Sequence, residues 1–212
     1  MVIKKNLDFS VLGDADNARS CLVFIHGWKG NKSSFEKMAK SFNIRDSVWY
    51  LPQAPYLIEG ESDGYSWTYE ISPGKFERNE PIKLLIRFFS QEIFSRFDSR
   101  DVYVFGFSQG GLVCYEIARI MSSPLGGIFP IGGFMAGTKK EMQRVHRSQI
   151  NTPIMIGHGE SDDVISKEES QMAYQLLSEE SDCVSIDLYK GGHRIGISYI
   201  RKVKELIESN YK

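Results

Sequence analysis

Residues Val102 to Gly111 read Val-Tyr-Val-Phe-Gly-Phe-Ser-Gln-Gly-Gly, an apolar strand running into Gly106-Phe107-Ser108-Gln109-Gly110. Glycines two residues either side of a serine suit a sharp strand-to-helix turn, because a Cβ at either place would collide with the turn. The residue at the apex is held in a strained conformation with its side chain exposed at the strand tip. A serine there has an accessible Oγ, and the backbone N–H of Gln109 points into the same space. That is a nucleophile beside half an oxyanion hole. The pentapeptide alone also fits an ordinary Gly-Ser turn. The strand before it and the amphipathic helix after it, Leu112 to Met121, weigh against that. Such a serine needs an acid and then a histidine further along the chain.

Four histidines compete for the last role. His193, in Lys190-Gly191-Gly192-His193, comes straight after the last strand pattern and downstream of every candidate acid. A loop at a strand end leaves a general base free to reach Ser108. A surface-loop histidine is the plainer alternative. His26 and His158 each precede a glycine at a strand end and read as structural, tying down loop backbone. His146 falls on a predicted helix and should face solvent. No His-x-His or His-Glu-x-x-His spacing occurs, so no metal site is expected. The acid should lie in Gly157-His158-Gly159-Glu160-Ser161-Asp162-Asp163-Val164. Asp162 and Asp163 lead, with Glu160 third; adjacent aspartates cannot both face His193, and residue physics alone does not choose. Asp187 sits inside a strand pattern as an outward polar position. Gly30-Asn31-Lys32-Ser33 imitates the end of a phosphate-binding loop, but Asn31 and His26 replace its required glycines, so nucleotide binding is rejected.

These residues need a scaffold. The 212 residues, 42% hydrophobic and 25% charged, suffice for one domain with a sizeable core, read as 1–212. A net charge of −1 gives no electrostatic footprint for nucleic acid or an anionic membrane. No apolar run reaches a membrane span, and the N-terminus lacks the apolar core of a signal peptide. Cys21, Cys114 and Cys183 are widely spaced and odd in number, as expected of small buried hydrophobes in a reducing compartment, with the cytoplasm as default. The patterning alternates. Strands are expected at Cys21–Ile25, Val48–Leu51, the Ser108 strand, Gly127–Ile131, Pro153–Gly157 and Val184–Tyr189, with Val2–Leu12 as an extra edge strand. Helices are expected at Ser33–Phe42, Glu80–Phe97, after Ser108, Thr138–Ser148, Ser166–Leu177 and Ile195–Tyr211. Two of them open on capping-box spacings, Thr138/Glu141 and Ser166/Glu169. Residues 56–79 form a long polar, Gly-rich and aromatic loop. Such alternation implies an α/β fold, a mostly parallel sheet covered on both faces, with chemistry at the carboxyl ends of its strands.

The chain resembles an α/β-hydrolase of the acyl-protein thioesterase and phospholipase/carboxylesterase family over roughly residues 20–208. Five pieces carry the resemblance in order: Phe24-Ile25-His26-Gly27-Trp28; Pro52-Gln53-Ala54-Pro55 followed by Gly64-Tyr65-Ser66-Trp67; Gly106-Phe107-Ser108-Gln109-Gly110-Gly111; His158-Gly159-x-x-Asp162; and Gly192-His193. It implies a cofactor-free serine esterase or thioesterase with minimal or no cap domain. Ser108 would be nucleophile, Asp162 acid and His193 base, with the Trp28 N–H as second oxyanion donor and Trp67 walling the acyl site. The chain departs from the family where Lys29 takes the second glycine of His-Gly-x-Gly. Asp163 and Ser166 replace two prolines of the acid motif, and Gly132-Gly133-Phe134-Met135-Ala136 replaces Ser-Gly-x-Leu-Pro. The expected chemistry is two-step acyl transfer on a small ester, an acyl thioester or an acylated protein. Trp28, Trp67, Phe107, Phe134 and Met135 would make an apolar acyl site, although Phe107 fits plain core packing equally well. A small-ester carboxylesterase is the nearest alternative. A dienelactone hydrolase-like enzyme is disfavoured by serine at the nucleophile position, and a non-catalytic binding module by the intact residue set.

Overall fold

A computed structural model describes residues 6–137 and 145–210. A seven-stranded sheet runs through it, built from β1 (Phe9–Leu12), β2 (Ser20–Ile25), β3 (Ser47–Pro52), β8 (Val102–Phe107), β9 (Gly127–Ile131), β10 (Ile154–Gly159) and β11 (Val184–Tyr189). Their order across the sheet is β1-β3-β2-β8-β9-β10-β11. All neighbours are parallel except β1, which runs antiparallel to β3 and pairs Phe9 with Pro52. The expected extra edge strand is present over Phe9–Leu12, and residues 2–5 of that expectation lie outside the described residues.

The continuous apolar run of β2 follows from burial on both faces. Val23 and Ile25 join one core with Val104, Phe88, Phe89 and Val113. Leu22 and Phe24 enter the other, with Phe105, Phe129, Trp49 and Tyr199. Stacked and tilted rings run across the second face, Phe24 to Phe105 at 5.9 Å and Phe105 to Phe129 at 4.8 Å between centroids.

The helices are α1 (Glu36–Phe42), α2 (Asn79–Phe88), α3 (Gln109–Ile120), α4 (Lys167–Ser178) and α5 (Ile197–Ser209). Three expectations are corrected at their ends. The first helix begins at Glu36 rather than Ser33, because side chains divert the backbone: the Ser33 N–H donates to Asn31 Oδ1 and the Asn31 N–H to Ser34 Oγ. The helix from Asn79 gives way after Phe88 to a wider turn over Phe89–Ile93, in which the Phe94 N–H reaches back to Phe89 O. No capping box forms at Ser166, since its hydroxyl bonds the Glu168 carboxylate instead. Most of the Thr138–Ser148 expectation, including Thr138/Glu141, lies outside the described residues. Beyond that gap Arg147–Gln149 forms a single tight turn. There His146 is half-buried and accepts from the Ser148 N–H, rather than standing on a helix in solvent.

The long 56–79 segment is not structureless. It holds two antiparallel ribbons, β4 (Tyr56–Leu57) with β5 (Tyr65–Ser66), and β6 (Tyr69–Ser72) with β7 (Lys75–Glu77). Among the described residues these ribbons, rather than a helical cap, stand beside the carboxyl edge of the sheet. No described helix is long and apolar enough to cross a membrane.

Candidate active site

Ser108 joins β8 to α3 with φ 56° and ψ −116°, one of four non-glycine residues with positive φ among those described. The flanking glycines are sterically required. A Cβ on Gly106 would lie 2.1 Å from Gly110 O, and one on Gly110 would lie 2.1 Å from Ile25 O. The Ser108 N–H donates to Ile131 O at 2.8 Å, which ties the turn to β9. Gln109 is the first residue of α3, where N–H groups lack intrahelical acceptors.

His193 Nε2 lies 3.0 Å from Ser108 Oγ, and its Nδ1 lies 2.8 Å from Asp162 Oδ2. Three residues from three loops therefore form one relay. Asp162 Oδ1 accepts the N–H groups of Val164 and Ile165, both at 2.9 Å. Burial alone would raise its carboxyl pKa. The Ile165 N–H, the His193 ring and the Val164 N–H outweigh that and hold it below the ordinary carboxylate value, so it is ionised at neutral pH. Glu160 and Asp163 are exposed. Of the three carboxylates that residue physics left open, only Asp162 meets His193.

The end of β2 packs against the serine: a Cβ on Gly27 would lie 3.2 Å from Ser108 Cβ. This puts the Gly27-Trp28 backbone beside Ser108. Lys29 next to it has φ 63°, the left-handed conformation that glycine adopts more cheaply by about 1 kcal/mol. Its N–H donates to Tyr65 O, its ammonium pairs with Glu61 at 2.7 Å, and it sits 4.9 Å from the Trp28 ring centroid. The non-glycine residue is thus held in place by the 61–65 loop.

His26 is buried within this support. Its Nε2 accepts from the Ala54 N–H at 3.0 Å and its Nδ1 donates to Gly27 O at 2.7 Å. Burial depresses its pKa to about 4, so the ring is neutral. Trp67 is 1% exposed and donates its indole N–H to His26 O at 2.9 Å. It braces the backbone that leads into Gly27 and does not line the cleft, contrary to the expectation that it walls an acyl site. Met135 is likewise buried in the core. Asp187, expected to face outward, pairs with Lys202 and has a side chain only 13% exposed. Sequence reasoning missed the Gln109 side chain. Its Oε1 accepts from the Trp67 N–H at 2.9 Å and its Nε2 donates to Ser66 Oγ and Thr68 Oγ1, both at 2.9 Å. Partners more than forty residues away leave no local signal.

Ser108 opens into a cleft of about 1130 Å³. Trp28, Tyr56, Leu57, Tyr69, Phe76 and Phe134 give it a mainly apolar lining, much of it from the two ribbons. Trp28 is 59% exposed.

The family model for phospholipase/carboxylesterase matches residues 6–211. The chain belongs to that family. It is an ester-hydrolysing enzyme with the α/β-hydrolase fold. Acyl-protein thioesterase 1 of Debaryomyces hansenii is 27% identical over 196 residues, covering 79% of this chain and 81% of that protein. Carboxylesterase SOBER1 of Arabidopsis thaliana is 24% identical over 211 residues, covering 92% of each. The SOBER1 crystal structure superposes on this family member with TM-score 0.79 at 22% identity, covering 92% of this chain and all of the other. That of esterase PE8 gives 0.80 at 19% identity, covering 96% and 99%.

Proposed function

We propose that this enzyme is a serine hydrolase that cleaves carboxylic esters or thioesters through an acyl-enzyme on Ser108. The observation that carries the reading is the relay from Ser108 Oγ through His193 to the buried carboxylate of Asp162, at 3.0 and 2.8 Å. His193 Nε2 takes the Ser108 proton as Oγ bonds to the substrate carbonyl carbon. The backbone N–H groups of Trp28 and Gln109 hold the resulting oxyanion, each donor being worth on the order of 10²–10³ in kcat. The tetrahedral intermediate collapses, and His193 returns the proton to the departing alkoxide or thiolate. Water then gives a proton to His193 and attacks the acyl carbon. The second intermediate releases the carboxylic acid and restores the serine.

The size and apolar lining of the cleft favour medium to long acyl chains over acetate. An acyl thioester, including one carried on a protein, fits the same chemistry. Hydrolysis of p-nitrophenyl esters from acetate to dodecanoate tests both parts. The expected rate maximum lies at the longer chains, and Ser108→Ala loses on the order of 10⁶ in kcat while staying folded. Turnover retained in that variant overturns the nucleophile assignment. A maximum at acetate leaves the serine in place and replaces the long-chain reading with a small-ester one.

A further inference from the structure

Asp162 is approached by a second imidazole. His158, on β10 four residues before it, is fully buried. Its Nε2 lies 2.9 Å from Ile165 O and 3.3 Å from Asp162 Oδ2, and its Nδ1 lies 2.7 Å from Ser170 Oγ on α4. A carbonyl oxygen can only accept, so Nε2 carries a proton and points it at Ile165 O, while Nδ1 pairs with the Ser170 hydroxyl. The N–H edge of the ring is thereby held near the same carboxylate oxygen that takes the His193 N–H.

The ring also closes the turn that carries the acid. Ile165 is bonded at both ends, its N–H to Asp162 Oδ1 and its carbonyl to His158. A carboxylate only 1% exposed depends on such fixed donors, because water does not reach it to replace one that moves. Ser170, itself fully buried, fixes the rotation of the His158 ring. A chain of side chains therefore runs Ser170, His158, Asp162, His193, Ser108, and its first two members lie outside the reacting set.

We propose that His158 is a positioning residue for the relay. It holds the 162–165 turn and presents its Nε2–H edge to Asp162 Oδ2, and so sets the distance and direction from which the carboxylate grips His193. This rests on the reading of Ser108 and His193 as nucleophile and base. A histidine that merely tied backbone together would contribute to stability and leave the relay unchanged.

The substitutions His158→Asn and His158→Gln separate the two roles. Asparagine can keep the contact with Ser170 but leaves the Nε2 place empty. Glutamine, one methylene longer, carries an amide N–H toward that place. Active sites are counted with a fluorophosphonate, and turnover of a p-nitrophenyl ester is expressed per labelled site. For His158→Asn, kcat is expected to fall on the order of 10- to 100-fold at little-changed KM, and His158→Gln should recover most of the loss. In the same folded His158→Asn sample, the low-field proton resonance of the His193–Asp162 hydrogen bond should leave its wild-type position or exchange with solvent. Wild-type kcat per labelled site in His158→Asn overturns the proposal. So does a loss in both variants that only tracks the unfolded fraction, or an unmoved resonance. If the wild-type protein neither labels nor hydrolyses esters, the hydrolase reading fails, and the resonance still decides for or against His158.

Discussion

Gly110→Ala tests whether the close approach of β2 to the start of α3 sets the geometry at Ser108. The added Cβ would sit 2.1 Å from Ile25 O, 2.8 Å from Ile25 C and 2.9 Å from His26 O. Real Cβ contacts do not fall below 3.0 Å, so the backbone must open by about 0.9 Å. No flexible side chain can absorb this, because all three neighbours are main-chain atoms. Strand β2 is held on both sides by β3 and β8, so the first turn of α3 has to lift. That turn carries Gln109 and follows Ser108, while Gly27 and Trp28 stay with β2. On the proposed mechanism, Ser108 and one oxyanion donor therefore move relative to the other donor. A misplacement near 1 Å costs about 100-fold in rate, equivalent to about 2.7 kcal/mol of transition-state stabilisation. Overpacking should also lower stability by about 1–3 kcal/mol, at roughly 2–4 °C of Tm per kcal/mol. The assay is kcat/KM on a p-nitrophenyl ester at 25 °C, where the variant remains folded, with Tm read alongside. Gly60→Ala is the control. Gly60 has φ 83° but nothing within 4 Å of its added Cβ, so only backbone strain of about 1–2 kcal/mol and unchanged kcat/KM are expected. A Gly110→Ala enzyme within about threefold of wild-type kcat/KM, a difference of well under 1 kcal/mol, would refute the reasoning.

Two further outcomes follow from buried titratable groups. His26 is depressed from its usual value to about 4 by burial. The unfolded chain takes up this proton below about pH 6.5 and the folded protein does not, so stability falls as pH drops from about 6.5 to 4, by about 3 kcal/mol in total. Urea unfolding at pH 7 and pH 4.5 should show His26→Gln with a shallower fall than wild type; equal slopes would exclude His26 as the source. Cys21 and Cys114 are buried, as expected, and burial pushes both thiols far up, whereas Cys183, expected to be buried as well, is exposed. An aromatic disulfide reagent should titrate one thiol in the native protein and all three after unfolding, and Cys183→Ser should abolish the native reaction.

The parts of the molecule legible in the amino-acid sequence are those governed by near neighbours in the chain. Apolar runs such as Cys21–Ile25 announced strands buried on both faces, because each successive side chain must find a core above or below the sheet. The Gly-x-Ser-x-Gly turn announced itself through steric need, since Gly106 and Gly110 lie within two residues of Ser108. Caps and helix starts were less legible. At Asn31, Ser34 and Ser166 short polar side chains chose among several nearby partners of similar energy.

Tertiary structure decided what depends on groups far apart along the chain. Ser108 and His193 are 85 residues apart and meet only because parallel strands deliver both loops to one edge of the sheet. Asp162 and Asp163 are chemically equivalent in sequence. The turn buries the first against His193 and leaves the second in water. Trp67 looked like a cleft wall by its place in a motif, but its indole N–H needs a buried acceptor and finds it at His26 O, beneath the site. The cleft instead takes much of its lining from ribbons within residues 56–79, whose aromatic residues acquire a direction only when the strands pair.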